Sequence, residues 1–242
     1  MPRKARFDSL ADDQASHQGV AAVDRALTLV TAFRRGDTAL TLSELAERTR
    51  LYKSTVLRLL ASLMHAKLVQ RFDDGRYGLG PEVARLHAVY TASFSIDRVV
   101  MPVLRDLVGT TGESAAYHVP QGDARLCLYR VDSPHPIRDH IKAGDLLPMN
   151  RGAGGRVLMA FTQQLPKGLG AADKNLLARI RSDGFFCGVG DRASGVGGIS
   201  APVFNGDGVL VGAVTLTMPA HRHDEGHAKP VLEAARRIGE LI

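Results

Sequence analysis

Four residues at one end of an apolar repeat are the first that could do chemistry. Lys53, Ser54, Thr55 and Arg58 stand beside Val56, Leu57, Leu60, Leu63 and Met64, which recur at helical spacing. Amides at a helix start, with hydroxyls and a cation beside them, make a phosphate clamp. Arg58, one turn further on, can reach a guanine edge or a phosphate. Ser54 or Thr55 could instead serve only as a helix cap. Further along, Arg71 and Arg76 flank Asp73-Asp74. Phosphate repels that acidic pair, so the arginines are the expected contacts.

A second candidate is Gly152-Ala153-Gly154-Gly155, just before an apolar helix. It lacks the GxxxxGK[ST] spacing of a nucleotide loop, and no GxGxxG follows a strand. Close backbone approach and free amides at a helix start suit a carboxylate; the other reading is a turn kept glycine-rich for packing. His221, His223 and His227, with Asp224 and Glu225 nearby, fit no standard helical zinc pair, and Pro219 and Gly226 mark a loop, so no metal is expected. Ser194 lacks the GxSxG elbow. Cys127 and Cys187 match no metal or redox spacing and read as reduced, buried thiols. No catalytic set appears, and neither an enzyme nor a cofactor is expected.

The elements that must position these groups are legible around them. In Leu40–Gly80 a short amphipathic helix (Leu42, Leu45, Ala46) meets a polar turn, Glu47 to Arg50, and then the helix bearing Lys53 to Arg58. A strand Leu68–Phe72, a turn Asp73-Asp74-Gly75 and a return strand Arg76–Leu79 follow. Helix, turn, helix and hairpin make a winged helix-turn-helix, whose second helix enters a major groove. A plain αα-hairpin with a solvated polar face is the alternative.

Beyond that module, a polar, mobile arm is expected at 1–18, the DNA-binding domain at 19–80, a linker helix at 81–96 and a sensor-like domain at 97–242. In the last, strands are expected at Glu113–Val119, Arg125–Val131 and Ile137–Ile141. Helices follow at Ala153–Phe161 and Asp173–Ser182, then a hairpin Gly198–Phe204/Val209–Met218 and a terminal helix Glu225–Leu241. This is an α+β fold. Thr215 and Thr217 alternate with Val214, Leu216 and Met218, so both hydroxyls share one face.

Bulk properties bound the class. The 242 residues are 45% hydrophobic and 23% charged, enough for two globular domains. No apolar run approaches a membrane span of about 20 residues, and the N-terminus lacks a secretory core, so a cytoplasmic protein is expected. The net charge is +6; residues 1–80 hold 13 Lys+Arg against 9 Asp+Glu, and 81–242 hold 18 against 16. The excess falls in the shorter segment, as a phosphate-binding domain requires.

With these residues read, the chain resembles the IclR family of bacterial transcriptional regulators. The likeness rests on Val23-Asp24-Arg25-Ala26-Leu27, Leu42-Ser43-Glu44-Leu45-Ala46, Lys53 to Leu60 and Arg76-Tyr77-Gly78-Leu79-Gly80. It continues in Gly112-Glu113, Gly144 to Pro148, Gly152 to Ala160, Ala201-Pro202-Val203-Phe204 and Gly212-Ala213-Val214. The resemblance implies a winged-helix domain, a linker helix and a GAF-like effector domain. It implies a homodimer or homotetramer on double-stranded operator DNA, controlled by a small molecule, a carboxylate by the argument above. It also implies that Gly152, Ala153, Gly198, Thr215 and Thr217 line the effector pocket. Arg50 stands where the family usually has Gly, and Arg151 is a candidate counter-ion for an acid. Two other functions compete: a small-molecule sensor or enzyme domain with a basic helical head and no specific operator, and a non-specific nucleic-acid binder.

Overall fold

A computed structural model describes residues 9–13, 19–93, 96–162 and 170–242, which form two compact units, Met1–Ser93 and Phe94–Ile242. The arm expected at 1–18 lies mostly outside the described residues; within it, Leu10–Asp13 is a short helix, α1.

In the first unit, α2 (Ala21–Thr31), α3 (Leu42–Thr49) and α4 (Lys53–His65) pack around Leu29, Leu45, Val56, Leu60 and Leu63. The hairpin β1 (Val69–Arg71) and β2 (Tyr77–Leu79) closes this core with Val69 and Tyr77. The α3 start is a capping box: the Glu44 N–H donates to Thr41 Oγ1 (3.2 Å), and the Thr41 N–H donates to Glu44 Oε2 (2.7 Å). Arg48 ties α3 back to the end of α2 through the Ala32 carbonyl and the Asp37 carboxylate. The helix α5 (Pro81–Ser93) ends the unit.

The second unit is α+β. After α6 (Ile96–Thr111) come β3 (Ser114–Gln121), β4 (Ala124–Val131), β5 (Leu146–Pro148), α7 (Ala153–Phe161) and α8 (Ala171–Asp183). Then follow β6 (Phe186–Val189), β7 (Val196–Phe204), β8 (Leu210–Pro219) and α9 (Ala228–Gly239). The strands form one antiparallel sheet in the order β5-β4-β3-β8-β7-β6. Strand alternation divides its faces. Val214, Leu216 and Met218 join Ala115, Tyr117, Ile199 and Ala201 against α6 and α9. Ala213 points to the other face, with α7 and α8. Thr215, Thr217, Ser200 and His118 share that second face by parity and register.

Tyr117 pairs with Tyr129 but His118 with Cys127, which leaves Leu128 as an extra residue in β4. Arg125 and Cys127 before it, and Arg130 after it, therefore face the same side despite their odd and even positions.

The strand expected at Ile137–Ile141 is absent. Pro134 and Pro136 break the approach to it, and Asp139 is held by Arg130 and Arg192. The edge of β4 pairs instead with β5 after the Gly144 turn. The terminal helix is shorter than expected: Glu225–His227 is a 3-10 turn, and α9 begins at Ala228.

Candidate functional site

The turn between α3 and α4 is closed by Arg50 in the left-handed conformation, φ 56° and ψ 29°. Its N–H donates to carbonyls of the last turn of α3, the geometry usually given to glycine. Tyr52 is the N-cap of α4, so Lys53, Ser54 and Thr55 are its first three helical residues. Neither hydroxyl is the cap, and the Tyr52 side chain does not cap the helix. Lys53, Ser54 and Arg58 are exposed and Thr55 is half-buried. Lys53 and Arg58 form no ion pair among the described residues. Two apolar neighbours stay in solvent, Leu57 at 48% and Tyr52 at 50% exposure.

In the wing, the two arginines differ. Arg76 Nε donates to Asp74 Oδ2 (2.7 Å) and the Arg76 N–H to Asp74 Oδ1 (2.9 Å). That carboxylate is held below its ordinary range by the backbone and guanidinium donors of Arg76. Arg71 lies over the Tyr77 ring, 5.9 Å from its centroid, with its charge uncommitted to a carboxylate among the described residues.

The second unit holds a pocket between the start of α7 and the sheet. Its lining includes Gly152, Ala153, Gly198, Thr215 and Thr217, brought together from three elements, and His118, Arg125, Asp191 and Arg192. The space is ≈ 20 Å³, about enough for one water. Glycine allows α7 to approach this closely: a Cβ on Gly154 would lie 2.7 Å from Thr215 Oγ1, 3.2 Å from His118 Nδ1 and 3.5 Å from Arg125 Nε. The side chains of β3, β4 and β8 thus converge on the first turn of α7. Gly152 sits at φ +76°, which L side chains rarely adopt.

Polar groups in this pocket are buried and incompletely paired. Arg125, 2% exposed, donates through Nη1 to the carbonyls of Pro148 and Arg151 and pins the loop before α7. Its Nε has no partner among the described residues, nor have His118 Nε2 and Thr217 Oγ1. Burial, with Arg192 adding repulsion, lowers Arg125 to about 10, so it remains a cation at neutral pH. Burial first, and then Arg125, Arg130 and Arg192, hold His118 well below its ordinary value, so its ring is neutral. The amides of Ala153, Gly154 and Gly155 have no acceptor among the described residues, as expected for a first helical turn. The Gly152 N–H does: it donates to Asp191 Oδ2 at 2.5 Å.

Sequence reasoning missed His118, Arg125, Asp191 and Arg192. The available signal was a histidine and an arginine within otherwise apolar strands, where a polar side chain needs a partner. Arg151 is not in the pocket lining: its side chain is exposed and only its carbonyl is engaged, and the cations that line the pocket are Arg125 and Arg192, the latter paired with Asp139. The HRHDEGH segment places His223 Nε2 3.4 Å from Cys187 Sγ. Burial pushes that thiol up to about 11, away from reactivity. Among the described residues, no three metal-capable side chains cluster, and no helix is long and apolar enough to cross a membrane.

Comparison with known proteins gives consistent neighbours. A family model, the IclR helix-turn-helix domain, matches residues 22–72. The glycerol operon regulatory protein of Streptomyces coelicolor is 27% identical over 237 residues, 91% of this chain and 93% of its own length. The HTH-type transcriptional regulator BhcR of Paracoccus denitrificans is 25% identical over 242 residues, 91% of this chain and 86% of its own length. Among solved structures, an IclR transcriptional regulator from a Silicibacter species matches with a TM-score of 0.78 at 27% identity, covering 90% of this chain and 93% of that one. An IclR homolog of Microbacterium hydrocarbonoxydans in complex with 4-hydroxybenzoate has a TM-score of 0.75 at 21% identity, covering 90% and 97% of the two chains; at that identity the likeness is one of fold.

Proposed function

We infer that this chain, which belongs to the IclR family of transcriptional regulators, reads operator DNA with α4 and the wing under control of a small carboxylate bound against α7. The observation that carries the effector reading is the set of buried, unpartnered groups around one space: Arg125 Nε, His118 Nε2 and Thr217 Oγ1 beside the open amides of α7. A buried donor without an acceptor costs about 1–3 kcal/mol, and a carboxylate would satisfy the cation and the amides together. Gly152, Ala153, Gly198, Thr215 and Thr217 supply its surroundings. The neighbour solved with 4-hydroxybenzoate holds a molecule of this class.

On the DNA side, Lys53, Ser54, Thr55 and Arg71 take phosphate, Arg58 a base edge or a phosphate. Arg76 contacts DNA only by sharing its charge with Asp74. Reading a palindrome needs two such modules related by a two-fold axis. Leu86, Val89 and Tyr90 form an exposed stripe on α5, with Val23 and Leu27 exposed on α2. These surfaces suit a homodimer, or a homotetramer built from it, acting in the cytoplasm where operator DNA is; light scattering of the intact chain checks the assembly.

The test of the whole reading is a gel shift on DNA flanking its own gene, with competitor DNA and varied salt, alongside a thermal shift against small carboxylates. Retention of one site against excess competitor and a raised melting temperature with an acid are expected. Binding that ignores sequence, or no binding at all, overturns the regulator assignment for this module.

A further inference from the structure

The hydroxyl hydrogens beside the pocket can be counted, and the count fixes which atom of His118 faces a ligand. Ser200 Oγ donates to the Val214 carbonyl at 2.7 Å, and a carbonyl can only accept, so this bond consumes the one Ser200 hydrogen. The Ser200–Thr215 contact, 2.9 Å, must then be donated by Thr215. Thr215 has no hydrogen left for His118, whose Nδ1 is 3.2 Å from Thr215 Oγ1, so Nδ1 carries the ring proton and donates. The ring is neutral and 1% exposed. Its Nε2 is therefore a bare lone pair, buried, with no donor among the described residues. Arg125 and the α7 amides, close by, offer only donors.

From this relay we propose that the effector carries a hydroxyl group in addition to its carboxylate: the carboxylate accepts from Arg125 and α7, and the hydroxyl donates to His118 Nε2. The proposal rests on the carboxylate reading given above. It distinguishes hydroxy acids from the oxo acids of the same skeleton, whose carbonyl oxygen would set one lone pair against another. With room for about one water, the pocket must widen to admit even the shortest of these acids, and the Asp191–Arg192 segment that lines it would have to move.

The test uses the full chain and matched probes: glycolate and acetate; lactate, propionate and pyruvate; and 4-hydroxybenzoate with benzoate. Affinity is read by calorimetry and thermal shift. In the wild type, the hydroxy acid of at least one set should bind about tenfold or more tightly than its partners, the usual cost of burying an unpaired polar group. Ser200→Ala frees the Thr215 hydrogen for Nδ1 and lets the ring expose Nε2–H. The hydroxy preference should then shrink or pass to the oxo acid. His118→Asn, checked for folding by retained operator binding, should lose the discrimination while still binding carboxylates. If the members of every set bind equally, the hydroxyl proposal fails and the carboxylate reading stands. Preference unchanged in both Ser200→Ala and His118→Asn assigns the discrimination elsewhere and also overturns it. If no acid binds to a chain that still holds its operator, the carboxylate reading fails, and this proposal with it.

Discussion

The carboxylate of Asp191 caps α7 from 39 residues away, accepting from the Gly152 N–H at 2.5 Å and from Arg156 Nη2 at 2.9 Å. Gly152 at positive φ leaves no cap side chain of its own, so this distant carboxylate supplies the negative charge that a helix start favours. Asp191→Ala should lower the stability of the full chain by about 1.5–3 kcal/mol, the range for charged hydrogen bonds. Urea unfolding followed by circular dichroism measures it, and an effect below about 0.5 kcal/mol, within that of ordinary surface changes, would show that the carboxylate does not hold the helix.

His118 gives the fold a pH dependence of known sign. Its value in the folded chain is depressed below the ordinary 6.5, mainly by burial. The unfolded chain therefore takes up a proton that the folded chain refuses. The neutral ring's contribution is complete above pH 6.5 and is lost as pH falls below it, at about 1.4 kcal/mol per pH unit for one proton. His118→Asn should flatten a plot of melting temperature between pH 6.5 and 5. Parallel curves for the two proteins would contradict the buried neutral ring.

Arg58 and Lys53 are expected to separate in a salt titration. Arg58→Ala should cost about 1–3 kcal/mol and relax preference at one operator position, if it reads a base edge. Lys53→Ala should weaken all sequences alike and reduce the salt slope by about one. Two mutants that bind like the wild type would remove α4 from the DNA surface.

Arg50 holds a left-handed conformation that costs a side-chain residue about 1 kcal/mol or more. Arg50→Gly should therefore raise the unfolding midpoint slightly, by up to about 1 kcal/mol, while α3 and α4 keep their crossing. A loss of stability would mean that the arginine side chain contributes more than the backbone costs.

Much of this architecture could be read from short-range patterns. The turn Asn205-Gly206-Asp207-Gly208 joins β7 and β8 as its sequence requires, and the period of Val56, Leu60 and Leu63 gives α4 and its buried face. The Thr215 and Thr217 hydroxyls share a face because alternation is local. What escaped were relationships set by distant partners. Asp191 meets Gly152, His118 meets Thr215 across 97 positions, and Arg125 reaches Pro148. The edge strand β6 is four residues, too short to stand out, and β5 displaced the Ile137–Ile141 strand because prolines precede the latter. Local propensity specifies elements; which polar side chains they bury together depends on register.

The extra residue at Leu128 gives β4 a parity of its own. Arg125 stands on the odd side of it and Arg130 on the even side, yet both guanidiniums reach the effector face. In a strand without that extra residue's bulge, two positions five apart face opposite sides, and one of the two arginines would be driven through the sheet, among Leu104, Leu107 and Tyr117. Loss of the bulge residue itself would leave the two arginines four apart and still on one face, so it is the pairing of Leu128, and not the length of β4 alone, that sets which cations the pocket receives.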